Sequence, residues 1–533
     1  MRLVLLIVIP LAGGLAALLA GYLSGRAARW IALITALACL GLAISLWAPG
    51  FASSTTTARW LQQVDVAWIP QAGVRFHLAV DGLSLIMLML TFAVTALAVA
   101  SSGRTAVRRA GLFYFTILWA GAGLAGVFMA LDLFLFYFFF ELMLVPLYFL
   151  VAFWGHENRT RAAIKFVIYT QGASLLMLVA ILALYFIHGR ASGTFTFDYL
   201  QLLGTPLSFW TGLLLMLGFF VAFAVKLPAF PLHGWLPDAH TQAPTAGSVL
   251  LAGILIKVGA YGMMRFMFPL FPQASTRLTQ VGLWLGVVGI FYGAVLAYAQ
   301  SDLKRMIAYT SVSHMGFVLL GIFAWNELAL QGVVLQIVCH AFSTGGLFIV
   351  AGSLDERLGT REIGRMGGLW SRLPRLGGVT MFLAMAALGL PALGNFVAEF
   401  LILLGVFRVS IPAAVVAATG LVAATVYALL LVQRVFHGGA AQGRAGGEPA
   451  GAQAGVPPIN STPRRLADLS TGEIIVMAAI VIVLLWLGLY PQALIRTAGQ
   501  STGWLLDVSG SPPATGQVPE STAPAGGLEE AGP

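Results

Sequence analysis

Four charged side chains stand where the surrounding residues are apolar enough to lie in a bilayer. Glu141 follows LDLFLFYFFF, Lys226 sits inside the apolar run Leu213 to Leu227, Lys257 sits in GILIKVGAYG, and Glu399 closes NFVAEF. An unpaired charge at mid-bilayer costs roughly 2.5 to 3.5 kcal/mol by insertion scales. Such residues persist where they face a wet cavity or a countercharge, so the set predicts movement of charge, protons above all, through the membrane. His314 in TSVSHMGF and His340 in QIVCHAFSTGG add imidazoles, which titrate near neutral pH and pass protons in both directions.

Each residue has a plainer alternative. Burial disfavours charge on Glu141 and on Lys226, and proximity of the other restores it. Separating such a pair would drive a proton off the lysine; a pair that never separates would only tether two helices. Lys257 is either a central relay or a snorkelling side chain. The two imidazoles relay protons or pack in hydrogen-bonded cores. Glu399 is a terminal proton site or a carboxyl that stays protonated. His233 and His240 flank Asp238 in the stretch KLPAFPLHGWLPDAHTQAPT. Proton uptake, a structural network and a metal are all open there, but supporting ligands for a metal are missing. Asp132, at a span end, is expected to be solvated.

These groups must be held by membrane helices. The chain is 59% hydrophobic and 9% charged over 533 residues, with a mean hydropathy of +0.91. Soluble domains are about 25% charged, so an all-α polytopic membrane protein is predicted. Cys39 and Cys339 lie in apolar runs with no ligand spacing around them, which argues against disulfides, zinc and iron–sulfur ligation. Fourteen apolar segments emerge at about 20 residues per span. Residues 1–110 hold the first three helices, with an outer-face loop at 49–77 that suggests a short hairpin. Residues 111–268 hold helices 4–8 and residues 279–436 hold helices 9–13. Then come a flexible cytoplasmic loop at 437–472, helix 14 at 473–495, and a disordered tail at 496–533. A signal peptide is the alternative for the first apolar run.

Pro and Gly interrupt the segments at 208–230 and 376–406, so both are expected to be broken helices. They are the seventh and twelfth, five apart. An odd offset turns the second unit upside down, the geometry of two inverted five-helix repeats with their working groups near the midplane. Basic residues follow the same scheme. With the N-terminus outside, nineteen Lys and Arg fall in inner connections and eight outside, Arg265 among the eight and Lys304 among the nineteen. That bias is the positive-inside pattern, and it places both termini on the periplasmic side of a bacterial inner membrane. The net charge of +9 therefore reflects topology and not nucleic-acid binding. Gly121, Gly123 and Gly126 form a GxGxxG inside an apolar span, where helix packing explains them better than a nucleotide.

Phe140-Glu141 with the following LMLVPLYFL and Trp154-Gly155, together with Lys226 to Thr245, resemble the fifth- and seventh-span motifs of the antiporter-like (Mrp-related) membrane subunits of NADH:quinone oxidoreductase, respiratory complex I. The resemblance covers about residues 75 to 495. It implies that Glu141 and Lys226 are the charged pair that gates the channel and that Lys257 is the central relay. It further implies that His314 and His340 are the polar axis and Glu399 the exit group. Glu399 also separates this branch from the sister subunits L and N, where lysine is more usual. The implied function is proton translocation by a membrane-arm subunit that holds no cofactor or metal itself. Flavin and iron–sulfur clusters are expected in partner subunits, and subunits L and N are expected as neighbours. A cation/proton antiporter or membrane-bound hydrogenase subunit is the alternative, and an inert membrane scaffold a third.

Overall fold

The computed structural model describes residues 1–52, 59–102, 108–437 and 466–510, and fourteen apolar segments among them have the length to cross a membrane. Thirteen are long, apolar helices, running from Arg2–Ala20 to Thr471–Leu489. The twelfth is a pair of short helices, Pro374–Ala387 and Gly394–Phe407. The eighth span, Thr245–Leu270, and the eleventh, Glu327–Leu358, are enclosed by the others, whereas the first, second and fourteenth present most of their surface outward. Enclosed spans can hold polar groups that lipid-facing ones cannot.

The expected interruptions are present, each with a local cause. The seventh helix, Phe209–Lys226, stops at the lysine. Pro228 and Pro231 have no N–H with which to continue the ladder. The carbonyls so freed are taken up locally: Ala229 N donates to Ala224 O, and Trp235 Nε1 donates to Val225 O at 2.8 Å. A short helix, Leu236–Gln242, follows. The twelfth span breaks over residues 388–393, where Gly389 takes a φ of +78° that side-chain-bearing residues rarely adopt.

Two further irregularities stand out, the first as Pro146 predicts. The fifth span, Leu133–Trp154, is interrupted at Met143, just past Glu141. Pro146 cannot donate to Leu142 O, which loosens this turn. The eighth span contains two π-helical turns, Leu251–Leu255 and Met263–Met267, on either side of Lys257. Such turns are frequent at functional sites. Of the GxGxxG glycines, Gly123 and Gly126 pack against the fifth span, where a Cβ on Gly123 would lie 3.0 Å from Met143 Cα, and Gly121 faces Thr95 of the third.

One face carries a small antiparallel hairpin, β1 (Gln62–Ile69) and β2 (Val74–Val80), paired from Gln62↔Val80 to Ile69↔Val74 with a bulge near Ala67. It lies further along the chain than the loop at 49–77 suggested, because the alternating pattern runs on into FHLAV. Leu131 N donates to His77 O at 2.9 Å and fastens the hairpin to the fourth–fifth connection.

Asp132 corrects one expectation. It is fully buried, because its carboxylate caps the fifth span, accepting from Phe134 N and Leu135 N, and also accepts from Arg75 N. Burial pushes its carboxyl up to about 6. The tail also differs from expectation. Gln492–Val508 is a helix lying on the hairpin face, with Leu494, Ala498, Ser501, Thr502 and Leu505 on its buried side. That stripe has helical spacing, which outweighs the polar composition. Of the remaining tail, residues 511–533 lie outside the described residues, as do 438–465 of the 437–472 loop. Residues 466–470 of that loop are fixed: Asp468 accepts from Arg375 N and Leu376 N and caps the first half of the twelfth span.

Candidate functional site

The enclosed spans bring four of the predicted residues into one row. Lys257 Nζ lies 2.8 Å from His340 Nδ1 and also donates to Ala252 O, in the π turn one helical turn back. The His340 and His314 rings stand edge to face with centroids 5.5 Å apart. His314 Nδ1 lies 3.0 Å from Glu399 Oε1, and its Nε2 lies 3.2 Å from the Tyr427 hydroxyl. Gln336 Nε2 donates to the same Glu399 oxygen at 2.9 Å. Every one of these side chains is buried. With neutral His314, Nδ1–H donates to the carboxylate and Nε2 accepts from the tyrosine.

Each position follows from a local feature of its span. The π turn at Leu251–Leu255 widens the eighth helix just before Lys257, which places the ammonium over a carbonyl of the same helix. Gly259 lets the eighth span press against the seventh-span break, since a Cβ there would lie 2.6 Å from Leu227 N. At the other end of the row, the break in the twelfth span sits beside the Glu399 carboxyl. A Cβ on Gly389 would lie 3.1 Å from Glu399 Oε2. Between the two histidines the direct bonds stop, and His340 Nε2 has no hydrogen-bond partner among the described residues.

Glu141 and Lys226 are arranged otherwise. Lys226 is buried beneath aromatic rings, its Nζ 4.8 Å from the Phe140 centroid and 6.0 Å from that of Phe166, within cation–π range. Glu141 is the carboxylate that acts on it electrostatically, yet no ion pair within 4.0 Å joins them among the described residues. Glu141 is half-buried. It lines a lateral cavity of about 700 Å³ with Tyr137, Phe138, Tyr148, Ile168 and Gln171. The pair is therefore open, with the carboxylate at the flank of the bundle and the ammonium inside.

The three secondary residues do not converge. Asp238 pairs with Lys165 at 2.6 Å and Arg305 at 3.2 Å. His233 stacks near Phe230 and Tyr292. His240 is fully buried with its ring parallel to Phe348, and neither ring nitrogen has a hydrogen-bond partner among the described residues. Among those residues no group of three or more His, Cys, Asp or Glu gathers as metal ligands.

Sequence reasoning missed Gln336 and Tyr427, whose neighbours are apolar and give no signal. It also misplaced two basic residues. Arg265, counted in an outer loop, is fully buried in the eighth span and paired to Asp81 at 2.5 Å. Lys304, counted in an inner connection, is buried at the start of the tenth span, Leu303–Ala324, where it donates to Ala243 O. The signal for Arg265 was present, since MMRFM lies inside an apolar segment.

Comparison with known proteins identifies the family. The profile described as "NADH:quinone oxidoreductase/Mrp antiporter, TM" matches residues 130–425. NADH-quinone oxidoreductase subunit M of Escherichia coli K12 is 48% identical over 506 residues, 93% of this chain and 96% of that protein. The subunit M of Pseudomonas aeruginosa is 48% identical over 507 residues with the same coverage. A chain of respiratory complex I from Thermus thermophilus with bound NADH superposes with a TM-score of 0.80 at 31% identity, covering 95% of this chain and 100% of that one. A chain of the Mrp complex from Dietzia sp. reaches 0.77 at 23% identity over 95% and 97%, a likeness of fold alone. The matched span contains Glu141, the broken seventh helix, the whole histidine row and Glu399, so the chain belongs to the NADH:quinone oxidoreductase/Mrp antiporter membrane family, in its subunit M branch.

Proposed function

We propose that protons cross this chain along the row Lys257, His340, His314 and Glu399, and that Glu141 and Lys226 set when the row is loaded. The chain is a membrane-arm, proton-translocating subunit of NADH-quinone oxidoreductase, as its subunit M relatives are named. Electron transfer, with its flavin and iron–sulfur clusters, is assigned to partner subunits. The fixed order of donors and acceptors carries the proposal. An ammonium can pass a proton to a neutral imidazole 2.8 Å away, and a second imidazole can pass one to a carboxylate 3.0 Å away. The two rings, with centroids 5.5 Å apart, share no direct hydrogen bond, so the step that joins these halves requires one imidazole to turn and present a free nitrogen to the other.

The open pair gives the control. When Glu141 and Lys226 lie apart, the lysine has aromatic faces but no anion, and its charge repels a proton arriving at Lys257. When they close, the field of the lysine at the row is compensated. A partner seated in the lateral cavity beside Glu141 would govern that closure, and the sister subunits L and N are the proposed partners. The two breaks, five spans apart, are assigned to two inverted repeats. The hairpin face is assigned to the periplasmic side of a bacterial inner membrane, together with both termini.

Lys257→Met in the assembled complex, reconstituted into vesicles, tests this. NADH-driven acidification is expected to be lost while NADH still reduces a water-soluble acceptor at the partner subunits. An unchanged ratio of protons moved to electrons passed would overturn the proposal.

A further inference from the structure

A second polar column lies between Lys257 and the hairpin face. Tyr261 and Arg265 follow the lysine at four and eight residues along the eighth span, so the three share one helical side. The Tyr261 hydroxyl donates to Phe128 O at 3.0 Å and lies 3.0 Å from Ser84 Oγ. Ser84 N donates to Asp81 Oδ1, and Asp81 Oδ2 accepts from Arg265 Nη2. All five side chains are buried. Tyr261 and Ser84 put two hydroxyls in contact one helical turn, about 6 Å, beyond Lys257, on the side by which a proton could otherwise leave the proposed relay.

The column ends on groups that cannot continue it. A guanidinium does not release its proton in proteins. A second one, Arg59, stands close by: the Trp60 ring has Arg59 4.4 Å and Arg265 5.7 Å from its centroid, and Arg59 also lies over Trp504. Two guanidiniums against the single carboxylate of Asp81 leave the cluster with one net positive charge. The C-terminal helix covers it, with Ser501 Oγ accepting from Leu83 N. Fixed positive charge on a narrow polar path is a barrier to protons in membrane channels.

We infer that Arg265, with Asp81 and Arg59, is an electrostatic seal on this column, so that a proton held at Lys257 leaves only sideways, toward His340 and Glu399. The inference rests on Lys257 as the relay. Loss of pumping in Lys257→Met with no leak in Arg265→Gln would reject the seal alone, whereas normal pumping in Lys257→Met would reject the relay.

The test is passive proton flux into vesicles holding the whole complex, driven by an imposed pH difference without NADH. Arg265→Gln should raise the flux on the order of tenfold. That is the factor one lost charge sets at roughly 12 Å, eight residues of helix, with an effective dielectric of about 20. The proton-to-electron ratio should fall with it. Arg265→Lys, which keeps the charge, should stay tight, and Arg265→Gln with Tyr261→Phe should return the flux to that of the unmodified complex. A leak that survives both changes is packing damage and overturns the seal, as does no leak at all. Should Arg265→Gln not assemble, Arg59→Gln carries the test: a smaller rise supports the seal and an unchanged flux refutes it.

Discussion

Glu399→Gln isolates charge from shape at the end of the row. The amide oxygen can still accept from His314 Nδ1 and Gln336 Nε2, which both meet Oε1 in the native protein, so the packing around it is retained. What is lost is the anion 3.0 Å from an imidazole that must carry a positive charge in transit. At an effective dielectric of about 20 that attraction is about 5.5 kcal/mol, or four decades in the rate of a step that carries positive charge past it. If water fills the row and the dielectric approaches 80, the same separation still gives about 1.4 kcal/mol, or about tenfold. The predicted slowing of proton delivery therefore lies between about ten and ten thousand. The assay is NADH-driven acidification of vesicles holding the complex, read against quinone reduction in the presence of an uncoupler. Acidification should fall at least tenfold per electron passed. Glu399→Asp, which keeps the charge but draws it back by one methylene, should fall less. Native acidification by an assembled Glu399→Gln complex would refute the claim that the carboxylate charge drives transfer through His314.

Three other outcomes follow from neighbouring features. Glu141 is half-buried and makes no ion pair among the described residues, so Glu141→Gln should change thermal stability by only about 0.5 kcal/mol yet lower the proton-to-electron ratio; a native ratio would show the lateral carboxylate to be idle. Gly259→Val would set a Cβ 2.6 Å from Leu227 N and should destabilise by about 1–3 kcal/mol, seen as a lower melting temperature in detergent together with loss of pumping. Burial, helped by Lys304 and Arg361, holds the His156 imidazole down to about 4. Its folded value lies below the unfolded one of about 6.5, so its contribution to stability is complete above that pH and lost as pH falls toward 4. The melting temperature should be flat from pH 7 to 8 and drop below pH 6, and His156→Asn should flatten part of that drop.

The legible part of this molecule is the part where a charge and a helix breaker coincide. Lys226 two residues before Pro228, and Glu399 ten residues past Gly389, announce both a cost in the bilayer and a local device that offsets it. The structure breaks both helices at those points. What could not be read is direction around a helix. A span that is apolar on every side has no moment to say which face meets protein, so nothing before Glu141 tells that its carboxylate looks out to the flank while Lys226 looks in. The same silence hid Tyr427 and Gln336, polar tips in apolar runs. Long-range pairing was hidden for a different reason. Asp81 and Arg265 are 184 residues apart, and although the apolar segment around Arg265 places it in the membrane, nothing in either segment names the other as its partner. An arginine stripped of water needs an acid at hydrogen-bond distance, and only the packing shows that the acid is Asp81. The C-terminal helix erred the opposite way, since its polar composition suggested coil while its buried side recurs with helical spacing. In a membrane protein, then, cost identifies the working residues and periodicity identifies the surface helix. Which working residues face one another is decided by the packing of enclosed spans, through features as small as the missing side chain of Gly259.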